Sequence, residues 1–457
     1  MSPAAAIGAV VDRGALRQAL DAERRLWAAE HPRSRERFER TGRSLLGGVP
    51  MSWMRKWAGG FPPVVAEATG ATVVDLDGHR YVDLCLGDTG AMAGHAPEPV
   101  VSAIARQAAA GFTTMLPGED AAWVGEELRR RFGLPLWQLT LSATDANRFA
   151  IRIARAITGR SRILVFNYCY HGSVDETLLQ LRADGSAGPR EGNVGPAVDP
   201  ALTGRVVELN DLGGLEAALA HGDVACVLAE PALTNIGIVQ PEEGFHGTLR
   251  ELTRAAGTLL LIDETHTFSA GPGGCTRAWG LEPDLLTIGK AIGGGVPVGA
   301  FGLSDEVAER VLSLPEADLE DVGGVGGTLA GNPLSLAAVR ATLGEVLTDE
   351  VWERTIPLAE RFAAGVEDVV LEAGLPWHVA RLGCRAEYRF SPEPPRNGGE
   401  SAALADPELE DYLHLYALNR GVLLTPFHNM ALMSPATTEA DVDLHTEVFR
   451  EAVAARG

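Results

Sequence analysis

Two short apolar runs, each ending on a charged side chain, constrain this chain more than any other feature. Leu285-Leu286-Thr287-Ile288-Gly289 delivers Lys290 to a glycine-rich turn, Ala291-Ile292-Gly293-Gly294-Gly295, and upstream Leu259-Leu260-Leu261-Ile262 ends in Asp263-Glu264. Runs this short and this apolar, bounded by turn residues, fit strands covered on both faces, as in a parallel sheet. An amine and a carboxylate are thereby held just beyond the ends of two buried strands. Taken singly, each is more commonly something plainer, the lysine a solvated loop residue and the acid a helix cap.

Three further segments follow the same plan. Ser142-Ala143-Thr144-Asp145-Ala146-Asn147 follows the apolar Leu139-Thr140-Leu141 and opens an amphipathic stretch through Phe149, Ile151, Ile153, Ala154 and Ile157 to Gly159. Such a helix start, with hydroxyls and free main-chain N–H groups, is either an anion site suited to a phosphate or an ordinary N-cap. The strand Arg162 to Asn167 leads into Tyr168-Cys169-Tyr170-His171-Gly172, and Val224 to Ala229 leads into Glu230-Pro231 and Asn235. Open α/β sheets build their sites at the edge where such strands end. A lysine, a carboxylate, an anion site and an aromatic ring together are what pyridoxal phosphate chemistry requires. The amine forms a Schiff base with the cofactor aldehyde, and the acid keeps the pyridine nitrogen protonated.

From about Pro50 onward the chain resembles the class III (subgroup II) aminotransferases of fold type I, and among them glutamate-1-semialdehyde aminomutase and related amino acid aminotransferases. The resemblance is carried, in order, by Asp75 to Asp83, Gly94-His95, Ser142 to Ala146, Tyr170-His171-Gly172, Glu230-Pro231, Asp263-Glu264, Thr287 to Lys290 and Gly327 to Pro333. It implies an α/β fold: a large domain with a mostly parallel sheet wrapped by helices, and a smaller α+β domain. It further implies that Lys290 carries the cofactor and Asp263 pairs with its ring nitrogen. Ser142, Ala143 and Thr144 would receive the phosphate, and Tyr170 would cover the ring. His171, Glu230, Asn235, Thr265 and His266 would complete the cofactor site. Thr328 would reach the phosphate of a neighbouring subunit, making the active unit a homodimer. Arg55 falls where the aminomutase has an arginine that grips the substrate carboxylate through its planar fork.

Departures from the family pattern bear on the reaction. Ala143 stands where glycine is usual, a substitution that would cost energy if positive φ were needed there. Asp88 occupies a usually bulky pocket position, either facing the substrate or capping the turn that ends at Gly90. Thr265 replaces the usual valine behind the ring. His266 replaces a Gln or Met and either meets the cofactor's 3-oxygen or is satisfied by backbone. In Thr425-Pro426-Phe427-His428-Asn429-Met430, Asn429 stands where the aminomutase has an acid. The expected activity is therefore amino transfer between an amino acid, including β- or other non-standard amino acids, and a keto acid by a ping-pong mechanism. The alternative on the same scaffold is an isomerase (aminomutase or epimerase) or a lyase.

Net charge −22 and pI near 4.9 argue against nucleic acid or an anionic membrane as partner. Neither GxGxxG nor GxxxxGK occurs. Five widely spaced cysteines suggest neither a disulfide framework nor a zinc site and fit a cytoplasmic location. Ala4 to Val11 is too short to span a bilayer and lacks a basic start. Residues 1–48 read as a helical arm broken at Pro32, 49–96 as the start of the small domain with a hairpin, 97–333 as the large cofactor-binding domain and 334–457 as the C-terminal small domain. Residues 183–203 read as a mobile loop over the site.

Overall fold

The computed structural model of the chain describes residues 11–314 and 324–455, so the segment Ala4 to Val10 discussed above lies outside the described residues. Two compact units are present. The larger comprises Glu98–Glu350 with Pro395–Ala402, and the smaller comprises the rest.

The larger unit is built on seven strands: β1 (Leu136–Thr140), β2 (Arg162–Phe166), β3 (Gly204–Val207), β4 (Val224–Ala229), β5 (Leu259–Asp263), β6 (Leu285–Ile288) and β7 (Gly299–Leu303). Their order across the sheet is β1-β7-β6-β5-β4-β2-β3. All pairs are parallel except those made by β7, which runs antiparallel to β6 and β1. Every residue of β4, β5, β6 and β7 is buried, which is why these strands lack the polar alternation of a sheet with one wet face. The helix Ala143–Thr158 packs Ala146, Phe149, Ala150, Ile151 and Ala154 into the core formed with these strands. Consecutive crossovers bring the ends of β2, β4, β5 and β6 to one edge, and the segment after β1 joins them there.

Two expectations are revised. Residues 183–203, expected as a loop, also carry short regular elements: Ala187–Pro189 pairs antiparallel with Leu179–Leu181, and Pro200–Leu202 forms a 3-10 turn. Leu179 anchors this ribbon, buried in the core of the unit. The division between units falls after Glu350 rather than at 334, because the helix Pro333–Ala341 buries Ala337, Ala338 and Ala341 against Val100 and Ala103 of the helix Glu98–Ala110.

In the smaller unit, Val65–Thr69, Thr72–Asp75 and Arg80–Asp83 form a meander extended by Val422–Leu423. The Asp75 to Asp83 motif is structural here. Asp75 Oδ1 accepts from the Asp77 and His79 amides across a turn with Gly78 at φ 94°, while the Asp77 carboxylate accepts from Arg33 and Ser34 N–H at the start of the helix Pro32–Thr41. A second sheet, His378–Leu382, Arg385–Arg389 and Met430–Leu432, packs with the helices Val351–Glu372 and Glu439–Ala455, with Trp377, Tyr388, Phe390 and Phe449 in mutual ring contact.

Candidate active site

Asp263 is the last residue of β5 and only 3% exposed. Its Oδ2 accepts from Asn147 Nδ2 at 2.8 Å and lies 2.9 Å from His171 Nδ1, while Oδ1 accepts from the Thr265 amide at 3.0 Å. Burial by itself favours the neutral acid, but the His171 ring and the Thr265 and Asn147 donors outweigh it and hold the Asp263 pKa below the usual carboxylate range. His171 is shifted the other way. Burial opposes its charge, yet Cys169 and the Asp263 carboxylate raise its pKa well above that of a free imidazole. Asn147 ties the arrangement together, donating also to the His171 carbonyl at 3.2 Å and accepting from Thr287 Oγ1 at 2.6 Å.

Lys290 follows β6 by two residues and adopts φ 47°, a left-handed conformation that a non-glycine residue holds only when its surroundings impose it. Its Nζ lies 2.8 Å from His266 Nε2. Next to it, the helix beginning at Ala143 is capped by Ser142, whose Oγ accepts from the Asp145 amide at 3.2 Å. The Ser142 hydroxyl thus serves as an N-cap, and the first-turn amides of Ala143 and Thr144 have no acceptor within the helix. Ala143 is not among the residues with positive φ, so its methyl carries no conformational penalty. Backbone crowds this helix start from three sides. A Cβ on Gly289 would stand 2.9 Å from the Ala143 Cβ, one on Gly172 would collide with Thr144 Oγ1, and one on Gly299 would collide with the Ser142 carbonyl.

Tyr170 is half-buried, and its amide donates to Glu230 at 3.1 Å. The Glu230 carboxylate also accepts from Thr234 N–H and Oγ1, and burial raises its pKa. Asn235 Nδ2 donates to the Tyr168 carbonyl at 3.1 Å, at a residue with φ 63°. Glu230 and Asn235 therefore spend these contacts on fixing the turn that carries Tyr170. Thr265 Oγ1 is buried and has no hydrogen-bond partner among the described residues.

Thr328 is exposed in the larger unit, four residues before the Asn332 cap of the helix Pro333–Ala341. Arg55 and Asp88 belong to the smaller unit. Arg55 ends the exposed 3-10 turn Ser52–Arg55 and lines a recess of about 380 Å³ with Arg24, Lys56, Trp57 and Asp411. Asp88 lies in a run of four left-handed residues, Leu86 to Thr89, and its amide donates to the Cys85 carbonyl at 3.0 Å.

The residues at the sheet edge fit pyridoxal phosphate. A buried, ionised carboxylate suits a pyridinium nitrogen, a helix start with two uncommitted amides suits a phosphate, and an orphaned hydroxyl at Thr265 awaits a partner. Asn147 and Thr287 went unassigned in the sequence. A polar residue on the apolar side of the Ser142 helix was the available sign.

The family model for class-III aminotransferases matches residues 54–453. The chain belongs to that family and is a pyridoxal phosphate enzyme of fold type I. More particularly, it is 37% identical to glutamate-1-semialdehyde 2,1-aminomutase of Thermomicrobium roseum, over 90% of this chain and 96% of that one. A crystal structure of a glutamate-1-semialdehyde aminomutase from Pseudomonas aeruginosa superposes with TM-score 0.95 at 50% identity, covering 98% of this chain and 100% of that one, and a variant of the same protein is described in complex with PMP. An omega-transaminase from Sphaerobacter thermophilus follows at TM-score 0.84 and 30% identity, covering 93% and 98%. No helix among the described residues is long and apolar enough to cross a membrane.

Proposed function

We propose that the chain is an isomerase of the aminomutase type, moving an amino group between adjacent carbons of a small carboxylate-bearing amino aldehyde, with glutamate 1-semialdehyde as the candidate substrate. The 50% identity to the Pseudomonas aminomutase along nearly the whole chain supports this over exchange with a separate keto acid. Pyridoxal phosphate, when bound, supplies an aldehyde that condenses with amines and a ring that takes up electron density. Lys290 Nζ would hold the cofactor and, once released by the substrate amine, would be placed to take up and return the substrate's proton. Asp263 keeps the ring nitrogen protonated, with His171 and Asn147 orienting its carboxylate. The Ala143 and Thr144 amides and the Thr144 hydroxyl receive the phosphate, and Tyr170, fixed through Glu230 and Asn235, covers the ring. Thr265 and His266 line the cofactor's surroundings, and Ser142 caps the helix that presents the phosphate donors.

Arg55 binds the substrate carboxylate, and Asp88 makes the substrate's surroundings more polar. The active form is a homodimer in which Thr328 completes the partner's phosphate site. The exposed Met115, Leu116 and Leu329 supply apolar surface for such an interface. A cytoplasmic location accords with five free, buried cysteines.

Transamination is the second reading. It is favoured by Asn429, which occupies the acid's place with its Oδ1 3.0 Å from His414 Nε2. Supplying glutamate 1-semialdehyde to the purified holoenzyme without any keto acid separates the two. Many turnovers to the isomeric amino ketone support the aminomutase; a strict need for an external acceptor supports the transaminase.

A further inference from the structure

The parallel pairing of β5 with β6 runs Leu261 to Leu285, Ile262 to Leu286 and Asp263 to Thr287. The Glu264 amide donates to the Thr287 carbonyl at 2.9 Å, continuing that register past the end of β5. Extended two residues further, the same offset sets His266 opposite Lys290, and the side chains meet there, Nε2 to Nζ at 2.8 Å. Both residues are half-buried. Their positions are held independently of each other. On one side, the buried Glu264 carboxylate accepts from Thr267 Oγ1 and from Thr276 N–H and Oγ1, pinning the segment around His266. On the other, Lys290 is locked in its left-handed conformation between Gly289, pressed on Ala143, and the buried Ala291.

An amine and an imidazole at this distance are within hydrogen-bond reach, so a proton can pass directly between them. That matters because an alkylammonium is no nucleophile: Lys290 must shed a proton before it can attack a carbonyl. We propose that His266 is the proton partner of Lys290, a catalytic residue that takes the ammonium proton on Nε2 when the lysine captures the cofactor and returns it afterwards. The step balances. Nζ–H₃⁺ gives one proton to neutral Nε2, and the resulting amine attacks the cofactor's aldehyde carbon. The C=O bond gives way to C=N as water leaves with the two remaining amine hydrogens, and Nε2 hands its proton back to the nitrogen. Neither oxidant nor co-reactant is required. The inference rests on Lys290 as the cofactor-bearing residue and not on which amino substrate is turned over, so it survives or fails apart from the aminomutase reading.

The test is cofactor loading, measured without substrate. Enzyme stripped of cofactor is mixed with pyridoxal phosphate, and the rate of C=N formation is followed by absorbance across pH and confirmed by borohydride fixation. The wild-type loading rate is expected to show an inflection set by protonation of the imidazole. His266→Gln keeps a polar group of similar reach but cannot take a proton. It should load about 10²-fold more slowly at neutral pH, the lower range for a lost general base, reach the same final occupancy and lose the inflection. His266→Ala serves the same purpose should the Gln variant fold poorly, and added imidazole should restore part of its rate. A loading rate and pH profile unchanged in either variant would overturn the proposal, as would slower loading with the inflection intact, the mark of a merely structural role.

Discussion

Replacing Asn147 tests whether the Asp263 arrangement is built as described. Asn147→Leu keeps the side chain's heavy-atom count and branching and deletes three contacts: the donor to Asp263 Oδ2, the donor to the His171 carbonyl and the acceptor for Thr287 Oγ1. A hydrogen bond to a charged group is worth about 1.5–3 kcal/mol and each neutral one about 0.5–1.5 kcal/mol, so the simple sum runs from about 2.5 to 6 kcal/mol. Because the three share one network, the lower half of that range is expected. All partners are buried, so water cannot replace what is lost. Denaturant unfolding of cofactor-free protein reads the effect, with near-UV and far-UV signals compared because a chain with two compact units need not unfold in one step. Asn147→Asp sharpens the test. It sets a second carboxylate against Asp263, so that variant should be worse than Leu at pH 8 and should recover as the pH falls and the two oxygens share a proton. A Leu variant within about 0.5 kcal/mol of wild type would mean that Asn147 does not hold the Asp263 network together.

Asp263→Asn should retain cofactor yet lose roughly 10²-fold or more in rate, the usual size of a lost preorganised charge, as read by steady-state kinetics beside the cofactor spectrum. Burial lowers the His445 pKa to about 3 and that of His414 to about 4. Both folded values lie below the unfolded value of about 6.5, so this stability is complete above that pH and is lost as the pH falls. Each group forfeits about 2 kcal/mol by pH 5. His445→Leu should therefore show a smaller fall in melting temperature between pH 7.5 and 5 than wild type. Arg55→Ala should raise KM for a carboxylate substrate roughly 10- to 150-fold, from about 1.5–3 kcal/mol for one charge-assisted contact, and spare amines lacking the carboxylate.

Much of the larger unit was legible because its strands are buried on both faces. Leu259–Asp263 and Leu285–Ile288 stand out as apolar runs, and the parallel order of such runs brings their ends to one edge. The helix start at Ser142 was equally plain, although local pattern could not say whether its hydroxyl capped the helix or met an anion. The structure assigns the hydroxyl to the cap and leaves the amides uncommitted. What local pattern cannot carry is register. The meeting of His266 with Lys290 depends on how β5 aligns with β6, and the bond from Asn147 to Asp263 depends on the rotation of a helix over the sheet. The ribbon at 179–189 has strands only three residues long, joined through a turn at Gly185 and with Gly188 inside the second, a composition that reads as loop.

The composition of the chain makes the central claim unusually direct to measure. Lys56 and Lys290 are its only lysines, the remaining basic residues being arginines. Borohydride reduction of the holoenzyme fixes the cofactor to whichever amine holds it, and peptide mass mapping then reads the position. The reduced cofactor is expected on Lys290 alone, at close to one per chain, with no cofactor fixed to the polypeptide in Lys290→Ala. Label on Lys56 or on the terminal amine, or a Lys290→Ala variant that still traps cofactor and turns over at the wild-type rate, would contradict it.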